Sequence, residues 1–240
     1  MPNETFADKL QKEIDPLQQR LMYHPLNQAI FTGSLPVPVL REYAKQAYLW
    51  KRYAQDLLPV LIPKAPEDVR RLLIKNLVSE EGLGGEPPHL QLLIEFGEEI
   101  GANADEFYTA EPVLEVDALC NFYARIFYGG TIVEAAAGFN FAFEGLLARE
   151  YPKIAEALKK HYHISPKGLR FWDIHIEADA EHSGDGEMIL NKYATTAELR
   201  GKARRAALVG LEHRHVAMDG IYRRFGGMEN AGDNVGRCQS

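Results

Sequence analysis

The chain has 240 residues, enough for one sizeable domain or at most two small ones. Hydrophobic residues make up 46% of it and charged residues 25%, proportions that are usual for a soluble globular protein. Its 27 basic and 34 acidic residues give a net charge of −7, which argues against nucleic acid or an anionic membrane as the main partner.

Cysteine content and hydropathy indicate the compartment. Two cysteines, Cys120 and Cys238, are too few for a disulfide framework and suit a reducing environment. The opening residues MPNETFADKL are polar and lack the apolar stretch of a secretory leader. No apolar run reaches the roughly 18 residues that are needed to span a bilayer. We therefore predict a cytoplasmic protein with no membrane partner.

Helical periodicity runs along nearly the whole chain, with no alternating strand pattern of useful length. Pro36, Pro88 and Pro166 each suit the first turn of a helix, where a missing N–H costs no hydrogen bond. In chain order, the predicted helices cover residues 4–23, 36–62, 66–82, 88–100, 112–128, 131–161, 166–194 and 195–225. The Gly- and Asn-rich tail, residues 227–240, is predicted to be disordered.

These elements predict a single all-α domain over residues 1–226, a bundle of roughly eight helices. Helical bundles build metal and cofactor sites from side chains that face one another between helices. Polar residues on otherwise apolar helix faces are therefore the candidates for function.

The segment DIHIEADAEH, residues 173–182, carries the clearest candidates. His175, Asp179 and His182 are spaced i, i+4 and i+7, and at about 100° per residue they share an arc of roughly 60° on one helix face. Glu177 and Glu181 fall off that arc. Imidazole and carboxylate groups at this spacing suit a metal ion. The alternative is an exposed polar face in water.

Two further sites carry candidate ligands. Glu144 lies in an apolar helix, AAAGFNFAFEGLL, so it faces the interior and needs either a metal or a salt bridge with an arginine such as Arg149 or Arg170. Glu80 or Glu81 ends one helix and His89 begins the next, although such residues are also common on surfaces. Together the candidates offer three carboxylates and three imidazoles. A set of N and O ligands without a thiolate suits iron or manganese, and two ions better than one.

Other polar residues carry weaker signals. Cys120 could be a nucleophile, but a cysteine in an apolar helix usually serves packing. His213 and His215 diverge by about 160° on a helix and are predicted to be surface residues. Gly184 and Gly186 follow His182 and allow a kink or a close backbone approach near the candidate site.

The chain resembles the haem-oxygenase-like helical proteins grouped with TenA and PqqC, and most of all their CADD branch, named for the chlamydial protein associating with death domains. The resemblance covers nearly all of residues 5–226. HIEADAEH is the most specific of its motifs. The motifs that carry it are REYAKQAYLW (41–50), NLVSEEGLGGEPPH (76–89), FAFE (141–144) and HIEADAEH (175–182).

The resemblance implies seven or more helices around a central pocket, a homodimer, and a dinuclear Fe/Fe or Fe/Mn centre that activates dioxygen. Glu80 is preferred over Glu81 because it is the fourth residue after Asn76 in the family pattern NL-x-x-E. The six implied metal ligands are Glu80, His89, Glu144, His175, Asp179 and His182.

One departure from the CADD pattern concerns the substrate. CADD-like members that make para-aminobenzoate are thought to consume a tyrosine of their own chain, and Asn27 stands at the matching position here. Phe143 and Phe171 stand where tyrosines occur in such members. This departure from the CADD pattern therefore favours an external small-molecule substrate, such as an amino acid, an amine, a fatty acid or an aromatic compound.

The sequence leaves three alternative hypotheses for the function. The first is a non-haem dimetal oxidase or oxygenase with dioxygen as co-substrate. The second is a metal-free pocket enzyme like TenA and PqqC, acting on a small heterocycle through Cys120 or Glu144. The third is an interaction protein whose bundle is a docking surface, which requires an exposed apolar patch that the sequence does not clearly show.

Overall fold

A computed structural model describes residues 4–83, 85 and 87–227. Within these residues all the regular secondary structure is helical, as the periodicity predicts. Apart from Gly227, the tail that was predicted to be disordered lies outside the described residues. No helix in the described part combines the length and the apolar character that crossing a bilayer requires.

The described residues form ten helices, which corrects the prediction of roughly eight. The additional helices, α2 and α6, have only 7 and 6 residues, too few to show a clear periodicity in the sequence. The helices are α1 Phe6–Met22, α2 Pro25–Phe31, α3 Val37–Leu61, α4 Glu67–Glu80, α5 His89–Glu99, α6 Ala104–Thr109, α7 Leu114–Ala124, α8 Ile132–His161, α9 Pro166–Tyr193 and α10 Ala197–Phe225.

Helix α8 is interrupted by π-helical turns. It begins as the short α-helix Ile132–Ala135, continues as a π-helix over Ala136–Glu144 and returns to α geometry over Gly145–His161. A second π-helical segment, Arg125–Gly129, extends α7. π-helical turns are rare and are concentrated at functional sites. This one ends at Glu144, a predicted metal ligand.

Capping side chains fix where several helices begin. The Thr5 hydroxyl accepts a hydrogen bond from the Asp8 backbone N–H, and the Asp8 carboxylate accepts one from the Thr5 N–H in return. Ser165 accepts from the Gly168 N–H at the start of α9, as expected for a serine before Pro166. These caps satisfy N–H groups that have no partner within the helix.

The core lies where α3, α8, α9 and α10 pack together, and its largest buried side chains include Trp50, Trp172 and Tyr123. Helices α9 and α8 approach closely at Gly186. A Cβ atom there would lie 2.8 Å from the Phe141 nitrogen, whereas a Cβ at Gly184 would meet nothing within 4 Å. The predicted close approach is therefore confirmed for Gly186 alone. It brings the polar face of α9 against the π-helical part of α8.

A buried ion pair crosses the same core. Arg214 of α10 lies 3.8 Å from Glu150 of α8, and both side chains are 1% exposed. The guanidinium also lies over the Trp50 ring of α3, with its central carbon 4.2 Å from the ring centroid. This arrangement links three core helices.

Candidate metal centre

The polar face of α9 points into the protein. His175, Asp179 and His182 are 0%, 1% and 6% exposed, whereas Glu177 and Glu181 are exposed to solvent. The predicted division of this helix into two faces is therefore correct, and the alternative of a water-exposed His/Asp face is wrong. The three buried side chains meet groups from α4, α5 and α8.

The first group of side chains joins three helices. Glu80, at the end of α4, and His89, the first residue of α5, meet His175 of α9, with one candidate ligand atom of each within 4.8 Å of the others. His89 Nδ1 lies 3.2 Å from Glu80 Oε2, and His175 Nε2 lies 4.0 Å from Glu80 Oε1. Glu81 turns away and accepts a hydrogen bond from Gln55. The structure thus places Glu80, rather than Glu81, beside His89.

The second group is built from α8 and α9. Glu144, Asp179 and His182 are all buried, with one candidate ligand atom of each within 4.8 Å of the others. His182 Nδ1 lies 3.3 Å from Glu144 Oε1, and the Asn140 amide donates a 2.7 Å hydrogen bond to Glu144 Oε2. Arg149 pairs with Asp15 instead, so the alternative of a Glu144–Arg149 salt bridge is wrong. The structure thus brings all six predicted residues together in two groups of three.

The two groups are neighbours. His175 belongs to the first and Asp179, one helical turn further along α9, to the second. Glu80 and Glu144 line one small cavity, whose other residues include Lys51 and Phe139. Two adjacent sites, each with carboxylate and imidazole groups, match the ligand types of a pair of iron or manganese ions.

Unpartnered polar atoms test whether these residues fit metal ions. Within the described part of the chain, four buried atoms of the two groups form no hydrogen bond of normal geometry: His89 Nδ1, His175 Nε2, His182 Nδ1 and Asp179 Oδ2. Two of them, His89 Nδ1 and His182 Nδ1, lie close to a carboxylate oxygen without such a bond. Leaving such atoms unsatisfied costs about 1–3 kcal/mol each, more for charged groups. Coordination of a metal satisfies all four, so the residues fit the metals that the sequence predicts.

The tautomer of His175 supports the same fit. His175 Nδ1 lies 2.7 Å from the Phe171 carbonyl oxygen, which can only accept, so Nδ1 carries the proton and donates it. The lone pair is then on Nε2, the atom that faces Glu80. Metal-binding histidines are commonly oriented by such a hydrogen bond from the other ring nitrogen.

Burial and mutual charge shift the pKa values of these groups strongly. Burial lowers the pKa of His175 well below its usual value, and it raises the pKa of Asp179 to about 8. Burial opposes ionisation of Glu80 as well, but His89 and His175 outweigh it and lower its pKa to about 2. For His182 the nearby Glu144 carboxylate outweighs burial and raises the pKa to about 9. Strongly shifted groups clustered in one interior site are typical of functional centres.

Lys51, Tyr151 and Tyr123 also lie near the candidate metal centre, although no sequence motif marks them. Lys51 of α3 is 9% exposed and lines the cavity with Glu80 and Glu144. The Tyr151 ring lies 6.0 Å from the His175 ring, and the buried Tyr123 hydroxyl has no hydrogen-bond partner among the described residues. The only sequence signal for Lys51 is a basic residue in the apolar stretch around YLWKRYA.

At the three positions where this chain departs from the CADD pattern, the residues present pack in the interior. Phe171 lies against His175, with ring centroids 4.2 Å apart, and Phe143 stacks on Phe139 at 5.8 Å. Asn27 is fully buried and donates a hydrogen bond to the Leu21 carbonyl oxygen. None of the three offers a phenol.

Another cluster with metal-binding residue types is better explained as a helix cap. His24, His215 and Asp219 lie together, with His24 Nε2 3.0 Å from Asp219 Oδ1. His24 Nδ1 accepts a hydrogen bond from the Leu26 N–H at the start of α2, so Nε2 carries the proton that faces Asp219. A lone pair for a metal is therefore absent on that nitrogen.

Cys120 is buried away from solvent, and burial raises the pKa of its thiol to about 12. A thiol with so high a pKa supplies almost no thiolate near neutral pH. This environment disfavours Cys120 as the nucleophile of a metal-free enzyme.

Comparison with known proteins gives the family. The model of the family described as iron-containing redox enzyme matches residues 41–215. The chain belongs to this family. The matched residues include all six predicted ligands. The family description fits a buried set of imidazoles and carboxylates without a thiolate.

Two relatives are named 4-aminobenzoate synthase. The one from Chlamydia pneumoniae is 23% identical over 189 residues, which cover 78% of this chain and 81% of the relative. The one from Nitrosomonas europaea is 25% identical over 240 residues, which cover 94% of each chain. Together with the family match, they confirm the predicted resemblance to CADD-like proteins.

Solved structures confirm the haem-oxygenase-like fold. A domain with a heme oxygenase-like fold from Shewanella denitrificans superposes with a TM-score of 0.79 at 14% identity, covering 91% of this chain and 92% of that one. A CADD-like protein from Nostoc punctiforme gives a TM-score of 0.71 at 17% identity, covering 91% and 97%. The arrangement of helices is therefore shared despite low sequence identity.

Proposed function

We propose that the protein is a non-haem dimetal oxidase or oxygenase, with an Fe/Fe or Fe/Mn centre, that uses dioxygen to oxidise a small organic substrate. One observation carries the proposal: two adjacent groups of buried imidazoles and carboxylates converge, and four of their polar atoms form no hydrogen bond with any described residue. The family of iron-containing redox enzymes supports iron as one of the ions. The proposed ligands are Glu80, His89 and His175 for one ion, and Glu144, Asp179 and His182 for the other.

When bound, two redox-active ions supply the electrons that reduce dioxygen. The surrounding residues hold the ligands and keep water away. The Phe171 carbonyl oxygen orients His175, and the Asn140 amide orients Glu144. The buried rings of Phe139, Phe143 and Phe171 exclude water from the oxidising centre.

The proposed substrate is external to the chain. The curated relatives are named 4-aminobenzoate synthase, so the oxidation of an aromatic compound is one candidate reaction. At the position that matches the consumed tyrosine, Asn27 has no phenol and is engaged with the backbone of α1. A chain without that tyrosine requires a small molecule to be oxidised in its place.

Metal analysis tests the proposal. The purified protein, produced with ample iron and manganese, is expected to hold about two ions per chain by mass spectrometry of the metals. His175→Ala and Asp179→Ala each remove a ligand of a different ion, so each is expected to lose about one ion or more. His213→Ala is the matched control, because His213 stacks on Phe122 outside the centre.

Dioxygen consumption by the iron-loaded protein is measured in the same samples and is expected to fall with metal content. A wild-type protein that holds less than one ion per chain, unchanged in both ligand variants, contradicts the proposal. In that case the metal-free pocket enzyme becomes the better candidate, and activity that survives a chelator would support it.

A further inference from the structure

Lys51 is a buried cation without a fixed anionic partner. Its side chain extends from α3, and its ammonium lies over the Tyr151 ring at 5.5 Å and the Phe171 ring at 5.9 Å from the centroids. Among the described residues, none forms a hydrogen bond or an ion pair with it. Aromatic faces attract a cation but offset only part of the cost of its burial.

The Lys51 ammonium lies beside the proposed metal centre. Lys51 lines the same cavity as Glu80 and Glu144, and its charge acts on Glu80, His175 and Asp179. The free volume of the cavity is about 20 Å³, which is room for one water molecule. One end of a carboxylate fits this enclosed volume, and the space that continues from it toward solvent brings the total to about 270 Å³.

Charge at the centre changes sign when metals bind. In the metal-free protein, Lys51 offsets part of the negative charge of Glu80. Two divalent ions outweigh the three carboxylates of Glu80, Glu144 and Asp179 even when all of them are ionised, and the nearby ammonium adds to the excess positive charge. In an interior of low dielectric constant this excess favours an anion beside Lys51 and disfavours a cationic amine.

We propose that Lys51 anchors the carboxylate of a small organic acid, the substrate of the dimetal centre. This inference rests on the proposed function and narrows its substrate class to carboxylic acids. Ala54, Leu58 and Phe139 also line the cavity, whose whole space of about 270 Å³ has room for the apolar part of such an acid. Lys51 thus determines specificity by charge, while the apolar residues limit the size of the substrate.

Binding of probe molecules to the metal-loaded protein tests the role of Lys51. The probes are benzoate and octanoate, one aromatic and one aliphatic acid, each paired with its neutral amide. Isothermal titration calorimetry is expected to show at least one acid binding about tenfold or more tightly than its amide. Lys51→Met is expected to abolish that preference, and Lys51→Arg to retain it. If Lys51→Met does not fold, Lys51→Gln removes the same charge.

Lys153→Met is the matched control. Lys153 lies over the Phe31 ring at 6.0 Å, is exposed and stands outside the cavity, so its loss should leave the preference for acids unchanged. A wild-type protein without any preference for acid over amide, or a preference that survives in Lys51→Met, overturns the assignment. So does loss of the metals in Lys51→Met, because Lys51 would then support the ligands rather than a substrate.

Metal content separates this inference from the proposed function. A wild-type protein without bound iron or manganese contradicts the dimetal function itself. A wild-type protein with two ions and no preference for acids contradicts only the role of Lys51.

Discussion

Residue-scale chemistry at the centre depends on which ring nitrogen of each histidine is free. His175 owes its free Nε2 to the hydrogen bond that its Nδ1–H donates to the Phe171 carbonyl oxygen. His24 differs, because its Nδ1 accepts a hydrogen bond from the Leu26 N–H. The proton is then on Nε2, which leaves no lone pair facing Asp219. The two sites contain similar residues, but the backbone partners of these histidines decide which ring nitrogen keeps a free lone pair.

Metal binding should release protons. Asp179 has a pKa of about 8, raised by burial, and His182 has one of about 9, raised by the Glu144 carboxylate, so both hold a proton at pH 7 in the metal-free protein. A metal ion binds Asp179 and His182 only in their deprotonated forms, so binding displaces about two protons per chain at pH 7. Affinity is therefore expected to rise with pH up to about pH 9 and then level off.

Calorimetry of Mn²⁺ binding in two buffers with different ionisation enthalpies measures these protons directly. The same titration at pH 8 serves as the comparison, because Asp179 is then about half deprotonated before the metal arrives and fewer protons should be released. Binding at pH 7 with no proton release would contradict the assigned environment of Asp179 and His182.

At the scale of elements, the ligands are held by contact between α9 and the π-helical part of α8. Gly186 permits this contact, since its absent Cβ would lie 2.8 Å from the Phe141 nitrogen and 3.0 Å from the Asn140 Cβ. Asn140 in turn donates to Glu144. The backbone approach at Gly186 therefore fixes how far Glu144 stands from Asp179 and His182.

Gly186→Ala should separate the two helices. Overpacking in a tight contact costs about 1–3 kcal/mol of unfolding free energy, and a gain of helix propensity of up to about 1 kcal/mol offsets part of it. We expect lower stability in urea unfolding together with weaker metal binding. Gly184→Ala is the control, because a Cβ there meets nothing within 4 Å, and it should be neutral or stabilising. Equal effects of the two substitutions would rule out the contact at Gly186 as the cause.

Sequence patterns predicted the long helices and the inward face of α9 because periodicity records which side of a helix is apolar. The pattern could not reveal α2 or α6, which are too short, or the π-helical turns at Ala136–Glu144, which keep an apolar composition. The sequence could not reveal the buried position of Lys51 for another reason. A lysine near the edge of an apolar face can bury its stem or extend into water, and only tertiary packing decides between them.

On the scale of the whole molecule, buried charge is concentrated in two neighbouring regions of one core. One is the proposed metal centre, and the other is the Arg214–Glu150 pair near Trp50 and Tyr43. Tyr151 connects them, since its ring lies near His175 and its hydroxyl interacts electrostatically with Arg214. The fold thus places a structural ion pair directly behind the proposed reaction centre.

Removal of one partner from this pair should be costly. Arg214→Met leaves the Glu150 carboxylate buried without a counter-charge, so a loss of about 3–5 kcal/mol in unfolding free energy is expected. The double variant Arg214→Met/Glu150→Leu should recover part of that loss. Lys202→Met, which breaks the exposed pair with Glu198, is the control and should have little effect. Urea unfolding measures all three variants, and a double variant that is no more stable than Arg214→Met alone would contradict this view.

The central claim is that side chains from α4, α5, α8 and α9 converge on two redox-active cations. Anomalous diffraction from crystals grown with iron and manganese, collected at both absorption edges, tests it most directly. We predict two peaks, one among Glu80, His89 and His175 and one among Glu144, Asp179 and His182, with iron in at least one of them. Crystals grown under the same conditions that show no anomalous peak between these side chains would contradict the claim.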